Sequence, residues 1–155
     1  MIEDGEEDEE ALSEPRESSY LVDTSALVRL LRDKRVRADW REKIGSGRLM
    51  VCPVTELEIM YSAQSLADRE TLKEILAESY LWVFMPDRVW ARAGEVQECL
   101  TELGRHRSAG PVDLLTAATA EEHNLVLLHY DADFLCVAAA TGQPVQWLAD
   151  RGSLN

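Results

Sequence analysis

The sequence predicts an α/β fold: a single domain built on a mostly parallel sheet of about five strands, with helices on both faces. Short apolar runs alternate along the chain with segments whose apolar residues recur at helical spacing, which is the order of βαβ units. The chain has 155 residues, of which 46% are apolar. That length and composition suit one globular domain with a substantial core.

The first half of the chain begins with a short apolar run that ends on Asp23 and passes directly into a helical pattern. Glycines after residue 44 and prolines 53 and 86 mark later boundaries. The patterns predict, in order, a strand and a helix within 19–31, helix 36–44, strand 49–52, helices 55–63 and 67–80, and strand 81–84.

The second half of the chain continues the alternation. Pro111 opens a helical pattern, which is a position where proline is favoured because the first helical N–H has no partner within the helix. The patterns predict helix 87–103, a loop to residue 111, helix 111–122, strand 125–128, helix 132–139 and strand 145–148.

Charge divides the chain into two parts. Residues 1–17 carry nine acids and one base, whereas the whole chain has a net charge of −13. This stretch has too few apolar residues to offset the entropy of ordering. We therefore predict a disordered acidic arm over 1–17 and a folded domain over 18–155. A solvated tail is the favoured interpretation, and a decoy for nucleic-acid charge is the alternative.

Hydropathy and cysteine spacing predict the cellular compartment and the state of the thiols. No apolar segment is long enough to cross a membrane, and the N-terminus lacks the pattern of a signal peptide, so we expect a cytoplasmic protein that does not bind membranes. The three cysteines are widely spaced and include no CxxC pair. This spacing predicts reduced thiols rather than disulfides or a zinc site.

Acidic residues follow the strands at comparable junctions. Asp23 and Asp131 directly follow predicted strands, and Glu58 and Asp113 lie in the first turns of predicted helices. In a parallel sheet these positions meet at the edge where ligands bind. Four carboxylates in one cleft repel each other unless a cation neutralises them, and hard oxygen ligands select Mg²⁺, with Mn²⁺ as a second option.

Each acid also has a purely structural interpretation. Asp23, Thr24 or Ser25 is a suitable N-cap for the first helix. Thr55 and Glu58 match the spacing of a capping box. Asp113 suits the positive end of a helix dipole, and Asp131 or Asp133 suits a cap for the helix that follows. Only the full set at one sheet edge favours a functional site.

The motifs VDTSAL, VTELEIMYS, GPVDLLTAATA and LLHYDADF, in this order, resemble those of the PIN-domain ribonucleases. Among these, the chain is most similar to the VapC-type toxins of toxin–antitoxin pairs, from residue 20 to residue 154. The resemblance implies a PIN-like fold and an acidic quartet of catalytic residues, with Thr24, Ser25 and Asp133 in supporting roles: Asp23, Glu58, Asp113 and Asp131.

The implied activity is Mg²⁺-dependent hydrolysis of phosphodiester bonds in a structured RNA such as tRNA or rRNA. Asp23, Asp113 and Asp131 are the expected metal ligands. His123 and His129 are expected to be packing or surface residues rather than catalysts. Basic residues near the acids are candidates for contacts with RNA phosphates, although each also suits a solvated surface: Arg29, Arg32, Arg105, His106 and Arg107.

The resemblance also implies partners. A cognate antitoxin is expected to lay a C-terminal segment in an apolar groove beside the active site, and a homodimer is expected. Candidate groove residues, for most of which an ordinary core role is the alternative, are Leu27, Leu31, Val36, Trp40, Leu57 and Tyr61.

Two other functions are compatible with parts of the sequence. The first is a catalytically silent PIN fold that binds protein or RNA, against which the intact acidic quartet counts. The second is a phosphatase of the haloacid-dehalogenase type with Asp23 as nucleophile. That chemistry requires a second Asp two residues later, where this chain has Ser25, so it ranks last.

Overall fold

The computed structural model describes residues 18–154, and the acidic arm predicted over 1–17 lies outside them. The described strands form one all-parallel sheet in the order β3-β2-β1-β4-β5. The predicted α/β class is confirmed. The strands are β1 (Tyr20–Val22), β2 (Leu49–Val51), β3 (Leu81–Trp82), β4 (Val126–His129) and β5 (Val145–Trp147).

Eight helices within residues 18–154 connect and cover these strands. None of them combines the length and apolar character that a membrane crossing requires. The helices are α1 (Thr24–Arg32), α2 (Lys34–Asp39), α3 (Arg41–Gly45), α4 (Pro53–Tyr61), α5 (Leu66–Ser79), α6 (Arg88–Glu102), α7 (Pro111–Glu122) and α8 (Asp133–Thr141).

The sheet carries a separate apolar core on each face, because successive side chains of a strand point to opposite sides. Tyr20, Val22 and Leu128 pack with α1, α2, α4 and α5. Leu21 and Leu127 point the other way and pack with α6, α7 and α8. The helices therefore lie on both faces, as predicted.

The chain winds outward from the centre of the sheet in two directions. From β1 it adds β2 and β3 on one side, and β4 and β5 then extend the other side. β1 and β4 are neighbours at this point of reversal, and the backbone N–H of Asp23 donates a 2.9 Å hydrogen bond to the carbonyl of Leu128. Such a switch point is where open α/β sheets bind ligands.

The single helix predicted over 36–44 is wrong, because the structure has two short helices that meet at Trp40. The backbone of Trp40 leaves helical geometry, with φ −101° and ψ 3°. Its ring is buried against Tyr20, and its Nε1 donates a 2.9 Å hydrogen bond to the carbonyl of Leu148. Docking of this side chain decides the break, and the local sequence pattern does not show it.

Two further boundaries differ from prediction. Helix α4 begins at Pro53, not at residue 55, because proline occupies the first helical position. Thr55 is therefore inside the helix and fully buried, so the capping box predicted for Thr55 and Glu58 does not form. The strand predicted over 81–84 is paired only at Leu81 and Trp82.

Candidate active site

Asp23 lies at the C-terminal end of β1 and is the N-cap of α1. Its Oδ2 accepts hydrogen bonds from the backbone N–H of Ser25 at 2.9 Å and from the Ser25 hydroxyl at 2.6 Å. The residue is 2% exposed, and its Oδ1 has no hydrogen-bond partner among the described residues. Burial raises the pKa of Asp23, and the charge of Glu58 adds to this, against the hydrogen bonds from Ser25 and Thr24. The capping interpretation is correct, but it leaves one buried carboxylate oxygen unexplained.

The two hydroxyl residues after Asp23 connect α1 to other parts of the site. Thr24 Oγ1 donates a 2.6 Å hydrogen bond to Oε1 of Glu58 on α4. Ser25 Oγ accepts a 2.9 Å hydrogen bond from the backbone N–H of Tyr130, just after β4. These contacts attach α4 and the end of β4 to the first turn of α1.

Asp113 lies in the first turn of α7, where its Oδ2 accepts a 3.1 Å hydrogen bond from the backbone N–H of Gly110. The structural interpretation of this acid is therefore also correct. Burial, together with the charges of Asp23, Asp131 and Glu58, nevertheless raises the pKa of Asp113 to about 6. Asp113 therefore stabilises the start of α7 and is at the same time repelled by the charges of the other three carboxylates.

Asp131 lies two residues beyond β4, and its Oδ1 accepts a 2.9 Å hydrogen bond from the backbone N–H of Asp133. Its own N–H donates to Nδ1 of His129 at 3.2 Å. The pKa of Asp133 is raised by desolvation and by the adjacent carboxylate of Asp131. Asp131 is thus held from both sides, and Asp133 contributes its backbone to that arrangement.

The four predicted acids come from four separate elements and act on one another electrostatically. Within residues 18–154, no group of three or more His, Cys, Asp or Glu side chains is arranged to hold a metal ion as it stands. A divalent ion nevertheless suits the donors present, because Mg²⁺ retains several waters and needs only one or two carboxylates. The unpartnered Oδ1 of Asp23 and the mutual repulsion at Asp113 are the observations that fit a cation.

The basic candidates lie in two places. Arg29 is held beside the acids, with its guanidinium 4.3 Å from the ring centre of Tyr130 and its Nη1 donating to the carbonyl of Ser25 at 2.7 Å. Arg32 is exposed one turn further along α1. Arg105, His106 and Arg107 are exposed in the loop before α7.

His129 and Tyr130 are neighbours of the site that the sequence does not identify. His129 is fully buried, as a packing residue should be, and burial lowers its pKa. Because Nδ1 accepts a hydrogen bond from the N–H of Asp131, the ring is the neutral tautomer with its hydrogen on Nε2. In the sequence, the position of His129 two residues before Asp131 is the signal that could have identified it as a neighbour of the site.

The PIN domain family matches residues 20–140, so the chain belongs to the PIN-domain proteins. Within them it belongs to the VapC-type ribonucleases. Ribonuclease VapC21 of Mycobacterium tuberculosis is 42% identical over 134 residues, which cover 86% of this chain and 96% of that relative. Ribonuclease VapC2 of the same species is 40% identical over 134 residues, covering 85% and 94%.

Solved structures of similar fold come from toxin–antitoxin complexes. DNA-bound VapBC from Salmonella typhimurium has a TM-score of 0.71 at 17% identity, covering 86% of this chain and all of that one. VapBC-1 from nontypeable Haemophilus influenzae has a TM-score of 0.70 at 21% identity, covering 83% and 97%. At these identities the likeness establishes the shared fold.

Proposed function

We propose that this chain is an Mg²⁺-dependent endoribonuclease toxin that cuts a structured RNA such as tRNA or rRNA in the cytoplasm. One observation carries the proposal. Four carboxylates from distant parts of the chain act on each other at the switch point of the sheet, and Oδ1 of Asp23 is buried without a hydrogen-bond partner in residues 18–154. Such an arrangement is costly unless a cation compensates for the repulsion.

Asp23, Asp113 and Asp131 would hold the ion, which is Mg²⁺ or alternatively Mn²⁺. When bound, the metal would polarise a phosphate oxygen and lower the pKa of a coordinated water. Ser25 fixes Asp23 through Oδ2 and leaves Oδ1 available. Thr24 orients Glu58, whose carboxylate would hold a water for the reaction.

The RNA would reach this acidic site along basic side chains. Arg29 is a fixed positive charge, because Tyr130 and the Ser25 carbonyl hold its guanidinium. Exposed Arg32 and the loop with Arg105, His106 and Arg107 would contact phosphates on either side of the cut. Such contacts position a nucleic acid without reading its sequence.

An antitoxin would occupy a groove of mixed polarity between α1, α4 and α5, which encloses about 600 Å³. Its lining is apolar at Val28, Leu31, Ile59, Leu72 and Ile75, and polar at Arg32, Ser62, Gln64, Ser65, Asp68 and Thr71. Of the residues predicted for such a groove, Leu31 lines it, and Leu57 and Tyr61 are 68% and 93% exposed nearby on α4. Leu27, Val36 and Trp40 were wrong choices, because they are buried in the core. The homodimer stays a prediction, which a measurement of molar mass by light scattering tests.

A catalytically silent binding module is the second candidate. The observation that favours a silent module is that no three acids within residues 18–154 are already arranged to hold a metal ion. The two candidates differ in a simple respect, since only the enzyme requires its carboxylates for RNA cleavage.

The test compares wild type with Asp23→Asn, Asp113→Asn and a control, Glu74→Gln, which alters an exposed acid on α5. Total RNA is incubated with each protein in Mg²⁺ or chelator, and cut sites are mapped by sequencing RNA ends. We expect wild type and Glu74→Gln to cut RNA at discrete sites in Mg²⁺ but not in chelator. The two Asn variants should not cut in either condition. Equal cutting by all four proteins would refute the assigned site, and a lack of Mg²⁺-dependent cutting by folded wild type would favour the silent module.

A further inference from the structure

The basic residues of this acidic protein are concentrated in one region. Residues 29–48 contain eight basic and three acidic residues, a net charge of +5, whereas the whole chain carries −13. These eight are half of the 16 lysines and arginines in the chain. They occupy α1, α2, α3 and the turn before β2: Arg29, Arg32, Lys34, Arg35, Arg37, Arg41, Lys43 and Arg48.

Part of this region forms a concave surface, which we call the basic groove. It encloses about 480 Å³, its rim carries Lys34, Arg37 and Arg41, and its floor includes Leu30 and Ile44. No acidic side chain lines it in the part of the chain that the structure describes. The groove therefore combines apolar area with three positive charges, and it suits an acidic peptide that also carries apolar side chains.

The basic groove lies at the edge of the sheet where the strands begin, opposite the catalytic acids. Tyr80 lines the groove and directly precedes β3. The strand register places Tyr20 beside Leu49 and Met50 beside Leu81, so Tyr20 and Tyr80 are separated by two strand spacings, about 10 Å. The described chain therefore enters the domain close to the groove.

The entry point itself is fixed on this side. The carbonyl of Ser18 accepts a 2.7 Å hydrogen bond from Nε of Arg48, which follows α3. A segment of 17 residues can extend up to about 55 Å, several times the distance to the groove rim. The acids at positions 3–17 can therefore reach all three rim cations.

We propose that the acidic segment 1–17 docks in the basic groove of its own chain. Its nine acids would neutralise Lys34, Arg37 and Arg41, and Ala11 and Leu12, which follow the densest run of acids, would cover apolar floor. The covalent tether raises the local concentration of the segment at the groove and so favours docking, and the docked segment would hide the groove from other polyanions. The inference stands independently of RNA cleavage, because it concerns the opposite edge of the sheet.

The chain offers an internal control for the test, because it has only three lysines: Lys34, Lys43 and Lys73. Lys34 is on the rim of the groove, whereas Lys73 is exposed on α5 and does not line it. A carbodiimide joins carboxylates directly to lysine amines that touch them. Full-length protein is cross-linked, digested and analysed by mass spectrometry, and mixing isotope-labelled with unlabelled protein separates links within one chain from links between chains.

We expect links from the segment to Lys34 to exceed those to Lys73 by about fivefold or more within one chain. The preference should disappear at about 0.5 M NaCl, where screening shortens charge interactions to a few ångströms. Arg41→Glu should reduce the Lys34 links, whereas Arg69→Glu on α5, outside the groove, should not. Circular dichroism verifies that both exposed variants are folded.

Three results would overturn the proposal. Equal linking to Lys34 and Lys73 would mean that the segment does not dock. Links found only between labelled and unlabelled chains would mean that the groove binds a second copy instead. A Lys34 preference that survives replacement of the acids Glu6, Glu7, Asp8, Glu9 and Glu10 by their amides would mean that charge does not drive the contact.

Discussion

Thr24 and Glu58, which are 34 residues apart in the chain, are joined by a 2.6 Å hydrogen bond from the threonine hydroxyl to Oε1 of the carboxylate. Thr24 is the first residue of α1, and Glu58 lies in α4, so the bond ties one candidate catalytic acid to the helix that Asp23 caps. In Thr24→Val, which keeps the shape of the side chain, Glu58 loses this anchor. RNA cleavage should fall by about tenfold, a usual cost of losing a residue that orients a metal-site ligand.

Thr24→Ser is the matched control, because it retains the hydroxyl and should retain activity. The measurement is the initial rate of RNA cleavage at saturating Mg²⁺, with thermal unfolding as the check on folding. Equal rates for the Val and Ser variants would show that the hydrogen bond does not matter to the reaction.

Asp113→Asn should separate stability from activity. The charges of Asp23, Asp131 and Glu58 all oppose ionisation of this carboxyl, and an amide removes that repulsion while still accepting from Gly110 N–H. In chelator we expect the melting temperature to rise by a few degrees, and we expect RNA cleavage to be lost. A lower melting temperature in the variant would contradict the strain assigned to the metal-free acids.

The stability of the metal-free protein should depend on pH with a definite sign. The pKa of Asp113 is about 6 in the folded chain, above its ordinary value of 3.8. A raised folded pKa gives stability that is fully present below 3.8 and lost as the pH rises through 6. Between about pH 7.5 and pH 5, acidification should therefore stabilise the wild type more than Asp113→Asn. Calorimetry in chelator measures both curves, and parallel curves would refute the assignment.

Mg²⁺ should stabilise the folded protein. An ion that binds only the folded protein raises its melting temperature. We expect this rise in wild type and Glu74→Gln, and a much smaller one in Asp23→Ala. Calorimetry with Mg²⁺ against chelator makes the comparison, and an equal rise in all three proteins would place the ion elsewhere.

His129 should matter through its acceptor nitrogen rather than through its proton. In His129→Phe the buried Nε2, which lacks a partner among the described residues, is removed, and this offsets the cost to stability of losing the Nδ1 acceptor. The N–H of Asp131 loses its acceptor, and cleavage should fall. His129→Asn restores an acceptor two residues before that N–H, as in an Asx turn, and should recover part of the rate. Equal rates of RNA cleavage in wild type, His129→Phe and His129→Asn would show that His129 only packs in the core.

Much of the site follows from local pattern. Asp23, Asp113 and Asp131 are recognisable because they follow an apolar strand or stand in the first turn of a helix, and these features depend on neighbouring residues only. Glu58 was predicted in a first turn, but α4 begins at Pro53 and places it in the second turn. The structural interpretations of Asp23 and Asp113 are also visible locally and are correct, since both accept backbone hydrogen bonds at helix starts. Asp131 accepts from the N–H of Asp133, but the N-cap of α8 is Ala132, so the cap predicted for Asp131 or Asp133 is wrong. The carboxylates that accept these backbone hydrogen bonds are the ones that we propose as cation ligands.

The sequence by itself therefore determined the α/β class, the two-faced sheet and the order of the acids, because apolar periodicity and helix-start chemistry are local properties. Tertiary structure alone decided the break at Trp40, the pairing of Thr24 with Glu58 and the bond from Tyr130 to Ser25. These contacts join residues 108, 34 and 105 positions apart. A periodic pattern contains no information on which distant partner a side chain meets, so only the packed sheet with its strand order could specify them.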